Sequence, residues 1–157
     1  MSLEQNNPYD FINNAASWSQ YLANRLNAEK GFGERLAQDI QTPLCAETVD
    51  NYLKAAFSEL QTLTENEFQQ LKHSDLRELK EHAKVAELLS IDNCKLVLRQ
   101  VRKRVFCALA VRDICHLAPL EEVLSTISYF ADVAVQIAYR AAMLQLITRH
   151  GLSLIHI

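Results

Sequence analysis

Glycine and proline are scarce in this chain, which has only three of each among 157 residues. Turn-rich sheets depend on both residues, so their scarcity favours long helices, and no stretch sustains the alternation of apolar and polar residues typical of a strand. Hydrophobic residues make up 49% of the chain and charged residues 22%, which is typical of a globular domain with a buried core. The sequence therefore predicts an all-α fold, an antiparallel helical bundle.

Motifs that carry catalytic chemistry are also missing. The four cysteines form no C-x-x-C pair, and no cysteine–histidine cluster has zinc-site spacing. There is no glycine-rich phosphate loop, no D-x-D pair for Mg²⁺, and no spacing that indicates a Ser/His/Asp or Cys/His site. We expect no catalytic residue, no bound cofactor and no metal ligand in this chain.

The net charge of -3 gives no general attraction to nucleic acid or to an anionic membrane. Asp132, Gln136 and Arg140 interrupt the apolar run from 129 to 147, so we expect no membrane span. Without disulfide-like cysteine spacing or a signal peptide, reduced thiols and a cytoplasmic location are expected. Cys107 and Cys115 lie at helical spacing and are predicted to be small core residues.

The helical pattern predicts a disordered start over residues 1–7 and a single helical domain over 8–151. Pro8 suits a first helical position, and the apolar residues up to Leu26 indicate one long helix or two short ones. Gly31 is placed to end this unit in a left-handed conformation. Farther on, Thr64 and Glu67 have the spacing of a capping box that begins a new helix.

Two long helices are predicted in the last third. Asp92 and Asn93 are candidate caps for a helix that runs to about His116, and Pro119 begins the last helix. Its alanine-rich stripe predicts a close approach to a neighbouring helix. The stripe consists of Leu120, Leu124, Ile127, Ala131, Ala134, Ala138 and Ala141.

The apolar segment 152–157, LSLIHI, follows a glycine that is placed to end the last helix. It resembles the in-frame translation of a transposon end used as a sequencing adapter. We therefore expect a non-native tail with no packed site.

One basic face is predicted on the first of the two long helices. Lys95, Arg99, Arg102 and Lys103 fall within about 100° of arc on an ideal helix. The face could contact a phosphate or a partner, or it could simply be solvated. Aromatic residues do not interleave with these cations, so no nucleic-acid partner is expected.

Arg112 lies on the apolar stripe of the same helix, which predicts that its charge turns partly toward the core. A buried cation needs a partner, and Glu121 or Glu122 across the next turn could supply one. We interpret these three residues as a structural ion pair rather than a catalytic group.

Residues 96–143 resemble, in residue order, a segment of the bifunctional glutamine synthetase adenylyltransferase/adenylyl-removing enzymes of bacteria. That family has an arginine-rich helix, an Arg-Asp pair, an acidic turn and a helix of the type L-S-x-x-A-D. The corresponding elements here are residues 98–104, Arg112-Asp113, Leu120-Glu121-Glu122 and Ile127 to Asp132, with a weaker likeness around Tyr9-Asp10-Phe11. Val111 and Phe106-Cys107 depart from the family pattern in ways compatible with a core.

The resemblance implies a parent enzyme that attaches AMP from ATP to a tyrosine of glutamine synthetase and removes it by phosphorolysis. It also implies Mg²⁺ as a cofactor, and a P-II type nitrogen signal protein and glutamine synthetase as partners. This chain would be an amino-terminal helical fragment of the adenylyl-removing half, ahead of the nucleotidyltransferase motifs and inactive alone. The alternative is a free-standing helical protein-interaction module with a basic docking face.

Overall fold

The computed structural model describes residues 7–151, in which nine α-helices and no strand are found. The prediction of an all-α fold built from packed helices is confirmed. The helices are α1 (Pro8–Trp18), α2 (Gln20–Ala28), α3 (Phe32–Asp39), α4 (Ala46–Leu60), α5 (Glu65–His73), α6 (Leu76–Glu81), α7 (Ala83–Leu88), α8 (Ile91–Ile114) and α9 (Leu120–His150).

The described residues divide into two compact units. Residues 7–49 and 102–129 form the first unit, and residues 50–101 and 130–151 form the second. The single domain expected over 8–151 stays a prediction. Residues 1–6 of the expected disordered start and all of the expected tail, 152–157, lie outside the described residues.

The first two helices are set by local capping. Asn7, expected to be disordered, caps α1 by accepting a hydrogen bond from the Tyr9 amide at 3.1 Å, and Pro8 occupies the first helical turn as predicted. Of the two alternatives for this region, two short helices are correct. Ser19 separates them, because its extended backbone ends α1 while its hydroxyl accepts from the Leu22 amide and caps α2.

Gly31 has the predicted left-handed backbone, with φ of 80°, but it does not end α2. That helix ends at Ala28 with an extended residue, Glu29, as its cap. Gly31 instead stands immediately before α3, where its lack of a Cβ permits the turn.

The predicted capping box of α5 is confirmed. The Thr64 hydroxyl accepts from the Glu67 amide at 3.3 Å, and the Glu67 carboxylate accepts from the Thr64 amide at 2.8 Å. Lys84 of α7 donates to the same carboxylate at 2.7 Å. The local sequence therefore fixes where α5 begins, and the lysine links this end to α7.

These contacts predict a pH-dependent contribution to stability. The Lys84 ammonium, followed by the Thr64 amide and hydroxyl, lowers the pKa of Glu67 from 4.5 to about 2. Because the folded pKa is the lower one, the contribution is present above about pH 4.5 and is lost as the pH falls toward 2. In urea denaturation across this pH range, the free energy of unfolding of the wild type should exceed that of Glu67→Gln at neutral pH, and the two values should converge in acid. A difference that does not change with pH would contradict this assignment.

The predicted caps of α8 are wrong. The helix begins at Ile91, one residue before Asp92, and the Ser90 hydroxyl accepts from the Asn93 amide at 3.4 Å. Its end lies close to the predicted one, because α8 stops at Ile114 and His116 has a positive φ of 55°.

The predicted packing face of α9 is wrong. Leu120, Leu124, Ala131 and Ala138 are exposed, and only Ala141 of the predicted stripe is fully buried. The helix carries a second apolar face with larger side chains, which bury more apolar surface per residue and therefore decide the orientation. Its buried members in the second unit are Phe130, Val133, Ile137, Ala141, Leu144 and Ile147.

Two of the four cysteines, Cys94 and Cys107, are buried packing residues. Burial raises the pKa of the Cys94 thiol to about 12 and that of the Cys107 thiol to about 11, so both stay protonated at neutral pH. Cys107 is fully buried as predicted, whereas Cys115 is half-buried, with its Sγ 3.3 Å from the Phe11 carbonyl oxygen.

Candidate functional site

Arg112, near the end of α8, is a buried and extensively hydrogen-bonded side chain of the first unit. It is only 3% exposed, and its guanidinium donates to both carboxylate oxygens of Glu122, from Nε to Oε1 at 2.7 Å and from Nη2 to Oε2 at 3.1 Å. This two-bond geometry matches the planar fork of arginine to the plane of a carboxylate. The structure thus brings Arg112 together with Glu122 and leaves Glu121 exposed.

Backbone carbonyl groups complete the arginine's hydrogen bonding. Nη1 donates to the Ile40 carbonyl at 2.7 Å, and Nη2 donates to the Leu117 carbonyl at 3.1 Å. Glu122 in turn accepts from the Leu44 amide at 2.9 Å. We call Arg112, Glu122 and these three backbone groups the Arg112 clamp.

The clamp joins three pieces of the first unit: the end of α3 with the loop after it, the end of α8, and the first turn of α9. Thr126 adds a further bond, because its buried hydroxyl donates to the Leu44 carbonyl at 2.9 Å. Both charges are compensated inside the protein, as a buried ion pair requires. This arrangement fixes backbone positions and presents neither charged group to solvent.

A second ion pair in the same unit was missed by the sequence reasoning. Arg104 of α8 donates to both oxygens of Asp39, each at 2.7 Å, and Asp39 is buried at the carboxyl end of α3. A carboxylate at that end of a helix is opposed by the macrodipole, so it benefits from a cation. That unfavourable placement of Asp39 was the available sequence signal.

Lys103, predicted to lie on the basic face, is already used inside the first unit. Its ammonium donates to Glu29 and lies 5.4 Å from the centre of the Phe32 ring. The Lys103 hydrogen bond, helped by Arg35, holds the pKa of Glu29 below its usual range despite the opposing effect of burial. Lys103 is therefore committed to Glu29.

The other three cations of the predicted basic face are exposed. Lys95 lies 3.7 Å from Asp92 in a solvent-exposed pair, a kind of contact that contributes little to stability. Arg99 and Arg102 are also exposed. A phosphate or partner contact at these residues stays a prediction.

The described residues bring no three histidine, cysteine or acidic side chains close enough to hold a metal ion. Among the described residues, one helix, α9, is long and apolar enough to cross a membrane by length and composition alone. This is weak evidence, because a core helix meets the same criteria, and α9 has a buried face in the second unit. The expected absence of a span stays a prediction.

Comparison with known proteins places the chain in a family. The model of the glutamate-ammonia ligase adenylyltransferase family matches residues 42–155, which include both charged residues of the Arg112 clamp. The chain belongs to this family. The match continues past Gly151 into the segment expected to be a non-native tail, and that expectation stays untested.

Curated members of the adenylyltransferase family align over most of the chain. It is 33% identical over 138 residues to the bifunctional glutamine synthetase adenylyltransferase/adenylyl-removing enzymes of Bordetella pertussis and Bordetella bronchiseptica, covering 88% of this chain and 12% of each relative. The enzyme of the same name from Nitrosomonas eutropha is 28% identical over 137 residues. The chain thus spans about an eighth of the length of the relatives it matches, and no solved structure matches it significantly.

Proposed function

We propose that this chain is a helical part of the adenylyl-removing half of a bifunctional glutamine synthetase adenylyltransferase/adenylyl-removing enzyme. The observation that carries the proposal is the family match over residues 42–155. Support also comes from the relatives, which bear that name and align with 88% of the chain. The chain's own part is structural: it holds helices in place and does not perform the chemistry.

The internal use of charge supports this structural part. Arg112 and Arg104 each bind a carboxylate through two hydrogen bonds, and Lys103 is paired with Glu29. These three cation contacts of α8 in the first unit thus orient helices and loops. A buried, fully paired cation is poorly suited to bind a substrate.

The proposed parent attaches AMP from ATP to a tyrosine of glutamine synthetase and removes it by phosphorolysis. It would use Mg²⁺ and ATP, respond to a P-II type nitrogen signal protein, and work in the cytoplasm. Glutamine synthetase as the substrate is the partner best supported, because the relatives' name contains it. The remaining features rest on the family resemblance of residues 96–143.

The isolated 157-residue chain should neither adenylylate glutamine synthetase with ATP and Mg²⁺ nor deadenylylate it with phosphate. The reason is that no phosphate loop and no D-x-D pair occur in its sequence. Release or incorporation of radiolabelled AMP measures both reactions, with the Bordetella pertussis enzyme as the positive control. Turnover by the purified chain that survives repurification would contradict the structural part assigned to it.

A further inference from the structure

A concave surface in the second unit lies where the end of α5, the start of α6 and α9 meet. The cavity has a volume of about 410 Å³, within the range of small-ligand sites. Its lining consists of His73, Ser74, Asp75, Leu76, Arg77 and Arg140. Two of these six side chains are guanidinium cations and one is a carboxylate.

Arg140 reaches this cavity from α9, and not all of its hydrogen-bond donors have acceptors among the described residues. Its Nη2 donates to the Ser74 carbonyl and, at 3.4 Å, to the Gln70 carbonyl. The arginine thereby caps the carboxyl end of α5. Its Nε is buried and finds no acceptor among the described residues. A buried donor without a partner is costly, so the geometry leaves hydrogen-bonding capacity and positive charge in this region.

The electrostatics agree with that geometry. Burial lowers the pKa of Arg140, and the nearby Asp75 carboxylate only opposes this effect. Asp75 is also used elsewhere, because it accepts from the Arg77 amide at 2.8 Å and caps α6. One carboxylate and two guanidinium groups therefore line the cavity, and a bound anion would supply the missing negative charge.

The remaining polar groups favour a phosphate group over a single carboxylate. Arg77 and His73 are exposed at the cavity and belong to different helices, while Arg140 approaches from a third. A phosphate presents oxygens in several directions and carries more charge than a carboxylate, so it can be approached by donors from separate elements. The cavity volume is also much larger than that of one water molecule, so it leaves room for a phosphate ester.

We propose that this cavity is a phosphate-binding site in which Arg77 and Arg140 supply the positive charge and His73 lies at the rim. The carboxylate of Asp75 offsets part of this positive charge and acts against binding. Nothing in this assignment depends on the catalytic chemistry proposed for the parent enzyme.

Isothermal titration of the 157-residue chain at constant ionic strength tests the site, with inorganic phosphate and phenyl phosphate as separate probes and chloride as the reference. We expect saturable binding, and Arg77→Gln should weaken it about tenfold through loss of a charge-assisted contact. Arg77 is exposed, so this variant should keep its unfolding midpoint. Tighter binding of phenyl phosphate than of inorganic phosphate would identify an ester as the occupant, and the reverse would identify the free ion.

Arg99→Gln is the matched control, because it removes the same charge from an exposed site on α8 of the same unit. It should bind phosphate like wild type. The proposal is overturned if binding does not saturate at phosphate concentrations on the order of 10 mM, if Arg99→Gln weakens binding as much as Arg77→Gln does, or if succinate binds as tightly as phosphate.

Discussion

Replacing Arg112 with glutamine is expected to lower the free energy of unfolding by about 3–5 kcal/mol, the range found when one partner of a buried ion pair is removed. The substitution leaves Glu122 as a buried anion and removes the donors to the Ile40 and Leu117 carbonyl groups. Urea denaturation measures the change, with circular dichroism at about 222 nm as the signal because it reports the total helix content.

Two further variants separate the buried pair from a general charge effect. Arg102→Gln removes an exposed cation from the same helix and should change stability by no more than about 0.5 kcal/mol. Arg112→Met combined with Glu122→Leu removes both charges and should cost less than the sum of the single changes, because neither charge is left unpaired. If Arg112→Gln were as mild as Arg102→Gln, the Arg112 clamp would not hold the first unit together.

Truncation of Ile137 to alanine should also be strongly destabilising, by about 2–5 kcal/mol, the usual range for removing a large aliphatic side chain from a core. Ile137 lies on the buried face of α9 and is only 1% exposed. The same urea measurement applies.

Val135→Ala is the matched control for the orientation of α9. Val135 lies two residues before Ile137 but is 69% exposed, so its truncation should fall within about 0.5 kcal/mol of wild type. A large loss at Val135 with a small loss at Ile137 would mean that the alanine-rich stripe packs inward after all, as the sequence pattern predicted.

Local signals in the sequence predicted where some of the helices begin, because capping and helix-starting residues act through their immediate neighbours. Pro8 and the Thr64–Glu67 capping box are examples, and both are found in the structure. The face of α9 was not predictable in the same way. That helix has two apolar stripes, and either could be buried as far as the sequence shows. The stripe with the larger side chains is the buried one because packing it against the other helices removes more apolar surface from water.

The charged contacts show a similar division. The position of Arg112 on an apolar stripe indicated a buried cation, but only the folded chain distinguishes Glu122 from its neighbour Glu121 as its partner. The pair between Arg104 and Asp39 joins residues 65 positions apart, and no spacing rule connects them. Contacts of that kind depend on how the helices pack against one another. The spacing of apolar residues and the composition of the sequence do not specify that packing.

The most direct test of the proposed function is a chimera in which residues 42–151 of this chain replace the corresponding residues of the Bordetella pertussis enzyme. The measurement is phosphate-dependent release of AMP from adenylylated glutamine synthetase. The chimera should retain this activity, and the same chimera with Arg112→Gln should lose it because the helical segment no longer holds its fold. A folded, soluble chimera that releases no AMP, beside an active parent enzyme, would contradict the assignment of this chain to the adenylyl-removing half.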